Sequence, residues 1–289
     1  MLKVLLTGSS GFIGKNIIPF LRGRYDIEYY SRQDLDLLKF SEVEKLFSKR
    51  KYDVVLHFAN PNYVKNKLDK QCTQFEDSIR MFQNLFFFRQ QYKKMIYLGS
   101  GAEYDKTKNI DCVNEEECFR YVPHDSYGLA KFTINQIASK SKNVYNLCVF
   151  GCFGPFDYHT KFITHCIRSV LLDKDITIRK DCLFDYIHVY DLAKMVIWLI
   201  DNDVKFHMYN AGGGEHLKLS EIACIVLKKM QSRKGIKILE AGMGNSYTAS
   251  NSRIITESGI SLHPIEYGIE KQIQWEKENW TCDTVFDGE

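Results

Sequence analysis

Short continuous apolar runs alternate along the chain with longer stretches in which apolar residues recur every three or four positions. The short runs predict buried parallel strands at residues 2–6, 27–30, 52–59 and 95–98. The longer stretches predict helices that start at Phe12, at Ser41 as N-cap, near 75 (ending at 91) and at Tyr127. Alternation of this kind predicts an α/β fold, in which helices cover both faces of a doubly wound parallel sheet.

Three glycines at equal spacing, Gly8, Gly11 and Gly14, follow the first predicted strand and lead into the first helix. There the chain must turn sharply, let a pyrophosphate approach the backbone and pack the helix against the sheet. Side chains would obstruct each of these, while the helix N-terminus offers unpaired N–H groups and the positive end of a dipole. The stretch from Gly8 to Gly14, which includes Ser10, Phe12 and Ile13, predicts a Rossmann-type dinucleotide site.

The charge balance of the chain gives no sign of a polyanionic partner. Net charge is +3, from 39 basic and 36 acidic residues, so we expect neither nucleic acid nor a membrane surface as partner. No apolar run reaches the roughly 18 residues of a membrane span, and the first strand starts too early to leave room for a signal peptide. The nine cysteines form no C-x-x-C pair. We therefore expect reduced thiols, a cytoplasmic protein and no metal site.

The end of the second strand decides which nicotinamide cofactor fits. A site for NAD places a carboxylate there for the adenosine ribose, whereas a site for NADP needs cationic and hydroxyl donors for the extra phosphate. Ser31 and Arg32 occupy this position and favour NADP. Glu28 and Asp34 are close enough in sequence to supply the carboxylate, so NAD is the second choice.

Tyr127 and Lys131 are separated by one helical turn and therefore lie on one face of a helix. A phenol titrates near pH 10 and needs a neighbouring cation to serve as an acid or base near neutrality. The pair is a candidate catalytic acid and its activator, although the same spacing is common on helix surfaces.

Taken together and in order, these motifs resemble those of the extended short-chain dehydrogenases/reductases, which are sugar-nucleotide epimerases, dehydratases and reductases. The resemblance spans residues 2 to about 275. The stretches that carry it are 7–14, 36–37, 56–59, 99–104, 127–131, 150–155, 185–193 and 209–214. It implies that residues 1–155, joined again by 181–203, form the dinucleotide-binding domain. Residues 156–180 and 204–289 would form a smaller C-terminal substrate-binding lobe.

The resemblance also assigns roles to individual residues. Tyr127 would exchange a proton with the sugar oxygen, Lys131 would hold the cofactor ribose and lower the Tyr127 pKa, and Ser100 would hydrogen-bond the same oxygen. Gly101 and Ala102 would lie beside the substrate. The remaining cofactor contacts implied are Asp36 and Leu37 at the adenine and Phe58 and Ala59 at the nicotinamide ribose.

Departures from the family pattern narrow the chemistry. Dehydratases of the family carry two acids where this chain has Gly101 and Ala102, and Glu103 is one position late, so its side chain should point to the other face of the strand end. Members that epimerise beside a ketone use a cysteine and a histidine, where this chain has Ala102 and Lys161. Reduction of a nucleotide-linked keto-deoxysugar at C4 by NADPH remains the favoured function. The alternatives are an NAD-dependent 4-epimerase and, less favoured, a non-catalytic cofactor-binding regulator.

The substrate diphosphate lacks an obvious partner, because Phe184 replaces the arginine that the family usually has before its DFIHV motif. Lys161, Arg168, Arg179, Lys180 or Arg253 could supply the missing charge, with Arg253 the best single choice.

Family members usually dimerise through two helices, which correspond here to residues 75–91 and the Tyr127 helix. Residues 86–88 are consecutive phenylalanines that cannot all face one core, so we expect a homodimer in which some of them face the partner.

Overall fold

The computed structural model describes residues 1–61 and 70–280, and places thirteen strands and nine α-helices within them. The strands are β1 Lys3–Thr7, β2 Asp26–Tyr30, β3 Tyr52–His57, β4 Tyr92–Ser100, β5 Ile110–Val113, β6 Val144–Val149, β7 Gly151–Phe153, β8 Ile176–Asp181, β9 Leu183–His188, β10 Met208–Ala211, β11 His216–Lys218, β12 Ile236–Met243 and β13 Tyr247–Ala249. The helices are α1 Phe12–Leu21, α2 Phe40–Lys49, α3 Gln74–Phe86, α4 Ser126–Ala138, α5 Phe162–Leu171, α6 Val189–Asp201, α7 Leu219–Lys229, α8 Ser252–Ser258 and α9 Ile265–Asn279. Single 3-10 turns cover Gln71–Thr73, Arg89–Gln91, Gly101–Tyr104 and Glu115–Glu117.

Six parallel strands form the central sheet, in the order β10-β6-β4-β3-β1-β2. One face is covered by α1 and α6, whose apolar side chains pack with Val4, Leu6 and Leu56. The other face is covered by α2, α3 and α4, which pack on Leu5, Val55 and neighbouring residues. Because both faces are buried, the strands are continuously apolar, and the predicted doubly wound α/β sheet is confirmed.

A smaller lobe holds a five-stranded mixed sheet, in which β11, β9, β13 and β5 follow one another and β7 pairs with β9. A separate parallel pair is formed by β8 and β12. Helices α5, α7 and α9 enclose the apolar core of this lobe around Phe153 and Ile167. None of the helices in 1–61 and 70–280 combines the length and apolar character that a bilayer span requires.

Several predicted boundaries differ from the structure. Helix α2 begins at Phe40, one residue before Ser41, whose hydroxyl therefore cannot act as its N-cap. The strand expected to end at residue 59 ends at His57, and the helix expected to reach residue 91 ends at Phe86 before a 3-10 turn. The strand expected at 95–98 covers Tyr92–Ser100, because the flanking polar residues continue the backbone pairing.

The division between the two parts of the chain is also more interleaved than expected. Strand β10 lies beyond residue 203, yet it adds the sixth strand to the central sheet. Strand β9 lies within 181–203 but pairs in the smaller sheet, while α6 of the same stretch packs on α1. Strand β5, from the first 155 residues, also joins the smaller sheet. Residues 281–289 of the expected lobe lie outside the described part of the chain.

Candidate active site

The turn between β1 and α1 is shaped by close backbone packing. Gly8 has a φ of 77°, and a Cβ placed on it would lie 2.5 Å from the Ala59 nitrogen. A Cβ on Gly14 would lie 2.3 Å from the Gly8 carbonyl oxygen, so α1 can approach the sheet only without a side chain there. The first residues of α1 open into a cavity, where their free N–H groups and the helix dipole suit a pyrophosphate.

A single cavity of about 1010 Å³ runs from this turn across the carboxyl ends of the central strands into the smaller lobe. The structure brings most of the predicted cofactor-binding residues to its wall: Gly8, Ser10, Gly11, Phe12, Ile13, Gly14, Ser31, Arg32, Leu37, Phe58, Ala59 and Lys131. It does not bring Asp36 there. The Asp36 N–H donates to Glu42 Oε2 at 2.8 Å and the carboxylate accepts from the Leu38 N–H at 3.1 Å, so local turn geometry turns this side chain away.

The carboxylates near the end of β2 are both engaged within the protein. Glu28 accepts hydrogen bonds from the hydroxyls of Tyr30 and Tyr52, at 3.0 and 2.8 Å, and forms an ion pair with Arg50. Asp34 Oδ2 accepts from the Ser31 hydroxyl at 2.6 Å and from its N–H at 2.9 Å, and these bonds lower the pKa of Asp34. Neither Glu28 nor Asp34 lines the cavity, whereas Ser31 and Arg32 do.

Three side chains with catalytic potential meet at the centre of the cavity. Ser100 ends β4, and Tyr127 and Lys131 lie in the first two turns of α4, which begins after the N-cap Asp125. The Ser100 side chain is close enough to the Tyr127 hydroxyl to lower the pKa of that phenol, and both residues line the cavity. Lys131 Nζ donates to the Leu98 carbonyl at 2.8 Å and lies 5.9 Å from the centroid of the Tyr127 ring. The strand end and the helix start therefore hold a hydroxyl, a phenol and an ammonium on one wall.

Burial sets the protonation states of Tyr127 and Lys131. It raises the pKa of Tyr127 to about 12, although the nearby Ser100 side chain lowers it. Burial lowers the pKa of Lys131 to about 8, while the nearby Glu103 carboxylate raises it. At neutral pH Tyr127 is therefore a neutral phenol, a state in which it can donate a proton, and Lys131 is largely an ammonium.

Glu103 is directed away from the cavity, as expected from its position one residue late. It is fully buried and accepts from the side-chain amides of Asn135 and Asn146 at 2.8 and 2.9 Å. Among the described residues lining the cavity, Asp125 is the one carboxylate, and it accepts from the Gly128 N–H and pairs with Lys106. The part of the cavity wall that the structure describes thus presents no pair of acids beside Ser100.

The substrate end of the cavity contains Lys161 and Ala102, as predicted, and an aromatic group that the sequence did not reveal. Tyr247 stacks near Phe150 and Phe184, with ring centroids 5.0 and 4.9 Å away. A Cβ on Gly101 would lie 2.5 Å from the Tyr247 hydroxyl, so Gly101 makes room for this ring rather than lining the cavity. No local pattern marks Tyr247, because β13 is brought here by pairing with the distant β5 and β9.

Two predicted substrate-binding cations lie elsewhere. The Arg179 side chain is 85% exposed on β8 and donates to Glu240 of β12 at 2.7 Å. Arg253 donates to the Met208 carbonyl at 3.0 Å and forms ion pairs with Glu115 and Glu116. Both guanidiniums pair with acids within the protein, and neither lines the cavity.

Comparison with known proteins agrees with this geometry. Residues 4–212 match the family described as the NAD dependent epimerase/dehydratase family. The chain is 22% identical to UDP-glucose 4-epimerase of Pisum sativum over 340 aligned positions, which cover 96% of each protein.

Solved structures of similar fold come from proteins with either nicotinamide cofactor. The chain superposes with a TM-score of 0.82 and 19% identity on GDP-mannoheptose C4 reductase from Campylobacter jejuni with NADP bound, covering 96% of this chain and 98% of the reductase. It superposes with a TM-score of 0.80 and 18% identity on UDP-glucose 4-epimerase of Thermus thermophilus in complex with NAD, covering 96% of this chain and all of that one. With its glycine turn, its Ser-Tyr-Lys trio and a family match over most of its length, the chain belongs to the NAD-dependent epimerase/dehydratase family.

Proposed function

We propose that the protein is an NADP(H)-dependent reductase that converts the C4 carbonyl of a nucleotide-linked keto-deoxysugar to an alcohol. The observation that carries the proposal is the meeting of Ser100, Tyr127 and Lys131 on one wall of a dinucleotide-sized cavity, whose lining within residues 1–61 and 70–280 presents no second acid for removing water. In the described lining there is also no histidine that could pair with Cys152 as a proton donor.

The cradle between β1 and α1 fits a dinucleotide, because Gly8 and Gly14 let the turn pack closely on the neighbouring backbone and the first residues of α1 open into the cavity. The α1 N-terminus would hold the pyrophosphate, and Lys131 would hold the nicotinamide ribose. When bound, the reduced nicotinamide supplies a hydride to the carbonyl carbon of the sugar. Tyr127 gives its proton to the carbonyl oxygen, Ser100 donates a hydrogen bond to that oxygen, and the Lys131 ammonium stabilises the phenolate left behind.

Preference for NADP rests on the end of β2. Arg32 lines the cavity and can carry the 2′-phosphate, while Glu28 is held by two tyrosine hydroxyls and Arg50. The Ser31 hydroxyl donates its hydrogen bond to Asp34, so Arg32 would provide most of the phosphate recognition. Calorimetric titration of the protein with NADPH and with NADH tests this: at least tenfold tighter binding of NADPH is expected, and equal or tighter binding of NADH would contradict it.

One observation favours a second function, the NAD-dependent 4-epimerase. The Asp34 carboxylate lies at the Ser31 backbone, where rotation towards the cavity would offer an acceptor for a ribose hydroxyl. The same trio would then oxidise and re-reduce the sugar on a cofactor that stays bound. Protein purified with NAD already bound would favour this alternative, whereas cofactor-free protein that consumes NADPH would favour the reductase.

The proposed homodimer would use α3 and α4, which pack side by side on one face of the sheet. Of the three consecutive phenylalanines, Phe88 is buried and Phe86 stacks on Phe82, whereas Phe87 is 64% exposed and contacts Phe40 at its edge. Phe87 is therefore the one of the three available to a partner subunit. Sedimentation analysis of the wild type and of Phe87→Glu tests this, with dimer expected for the first and weaker association for the second.

A further inference from the structure

Behind the catalytic trio lies a buried carboxylate, that of Glu103, for which the proposed reaction has no direct use. Its Oε1 accepts from the Ser100 N–H at 2.9 Å, which closes a reciprocal cap on the turn Gly101–Tyr104. Its Oε2 accepts from the side-chain amides of Asn135 and Asn146 and lies 3.7 Å from the Cys118 sulfur. The side chain has no solvent exposure.

The groups that surround Glu103 favour a carboxylate at this position. Each of its close partners is a donor: a backbone N–H, two amide NH₂ groups and a thiol. A Cβ on Gly99 would lie 2.4 Å from Glu103 Oε1 and 2.0 Å from Asn146 Oδ1, so the glycine before Ser100 leaves room for this network. A glutamine at position 103 would carry an NH₂ group in place of one carboxylate oxygen. That NH₂ group would face at least one of the N–H donors that now bind Glu103, and two donors cannot bind each other.

Charged and titratable groups face Glu103 from every element packed against it. Strand β4 contributes Tyr97, α4 contributes Tyr127 and Lys131, β6 contributes Cys148, β13 contributes Tyr247, and Cys118 follows the turn Glu115–Glu117. Burial raises the pKa of each of the phenols and thiols, so they are neutral at neutral pH. Lys131 Nζ donates to the Leu98 carbonyl at 2.8 Å, two residues before the Ser100 N–H that Glu103 accepts at 2.9 Å, so the ammonium and the carboxylate meet at the same end of β4. This ammonium favours the ionised form of Glu103.

We propose that Glu103 is a positioning residue for the catalytic centre. Its carboxylate fixes the backbone at Ser100 and serves as the buried counter-charge of the Lys131 ammonium. The catalytic role of the two residues it serves rests on the proposed function, but the pairing of the charges does not. Asn135 strengthens the arrangement, because it lies one helical turn after Lys131 and holds the carboxylate on the side of that lysine.

The electrostatics of the site have a measurable consequence. Two buried groups of opposite charge each favour the charged form of the other. Burial lowers the pKa of Lys131 to about 8, and Glu103 opposes that effect. Removing the carboxylate should therefore leave Lys131 with a still lower pKa, so that less of it is an ammonium at the pH at which the protein works.

The test is the titration of Lys131 in the cofactor-free protein, followed by NMR of ¹³Cε-labelled lysine, with the Lys131 signal assigned by its absence from Lys131→Arg. In Glu103→Gln the pKa of Lys131 should fall by about one pH unit or more. The matched control is Glu115→Gln, because Glu115 is another buried glutamate but pairs with the Asn210 N–H and Arg253. It should leave the Lys131 titration unchanged. An unchanged titration in folded Glu103→Gln, or equal shifts in both variants, would overturn the proposal.

The wild-type protein supplies a second test if Glu103→Gln does not fold. Burial raises the pKa of Glu103 to about 7, so the Lys131 signal should show a second, smaller inflection near pH 7. Asn135→Ala removes a donor to the ionised form and should move this inflection to higher pH. A single-step titration of Lys131 in the wild type would overturn the pairing.

Cofactor affinity then connects the pairing to function. If the pKa of Lys131 falls from about 8 to about 7, its ammonium fraction at pH 8 drops about fivefold, and cofactor affinity should fall by a similar factor. A protein that shows the Lys131 shift but reduces no keto-sugar would refute the proposed function and leave the charge pairing intact.

Discussion

Replacing Tyr127 by phenylalanine removes the proton donor with little other change to the site. The ring can keep its place 5.9 Å from Lys131 Nζ, and only the hydroxyl beside Ser100 is lost. Loss of one hydroxyl changes stability by about 1 kcal/mol, so the variant should fold with a slightly changed Tm. General acid catalysis contributes about 10²–10⁴-fold, which corresponds to roughly 3–5 kcal/mol of transition-state stabilisation.

We therefore expect Tyr127→Phe to bind NADPH within about threefold of the wild type and to lose at least 10²-fold in kcat. The assay follows NADPH absorbance with a nucleotide-linked 4-keto-6-deoxy sugar, and calorimetry measures the cofactor affinity separately. The control is Tyr25→Phe, which removes a hydroxyl that donates to Asp201 at 2.7 Å, outside the cavity. It should change Tm but not kcat. Turnover by Tyr127→Phe within a few-fold of the wild type would refute the assignment of Tyr127 as proton donor.

Four further predictions follow, three on the cofactor and one on stability. Arg32→Ala should weaken NADPH binding about 10–100-fold, because a charge-assisted bond to the 2′-phosphate is lost, and should leave NADH binding nearly unchanged; calorimetry with both cofactors decides. Gly14→Ala should lose cofactor binding and lower Tm, since its Cβ would lie 2.3 Å from the Gly8 carbonyl; retained affinity would show that the turn can relax. Cofactor affinity and turnover should decline as pH rises through about 8, where Lys131 loses its proton. Stability should change in the opposite direction with pH. Because the pKa of Lys131 in the folded state lies below the usual 10.5, its contribution to the free energy of unfolding increases from pH 8 to 10.5. Denaturant titrations at several pH values can follow this increase.

The central sheet and the cofactor turn could be predicted because their causes are local. Continuous apolar runs specify strands that are covered on both faces, and the spacing of Gly8 and Gly14 reflects backbone contacts within one turn. Asp36 was predicted at the cofactor but does not line the cavity. The hydrogen bond from its N–H to Glu42 depends on where α2 begins, which the local pattern does not show.

The substrate end could not be predicted in the same way, because it is assembled from strands far apart in sequence. Tyr247 reaches the cavity only through the pairing of β13 with β5 and β9. Arg253 is basic and close in sequence to that strand, yet its charge is taken by Glu115 and Glu116 from a distant turn. The sequence shows that Tyr247 is aromatic and that Arg253 is basic, whereas the groups that each of them contacts depend on tertiary pairing.

The most direct test of the reductase assignment is transfer of deuterium from NADPH labelled at C4 of the nicotinamide. The protein is incubated with labelled NADPH and a nucleotide-linked 4-keto-6-deoxy sugar, and the product is analysed by mass spectrometry and NMR. Our account predicts one deuterium at C4 of the product sugar and one NADP⁺ formed for each product molecule. Unlabelled product, or a C4 epimer formed with no net consumption of NADPH, would contradict it.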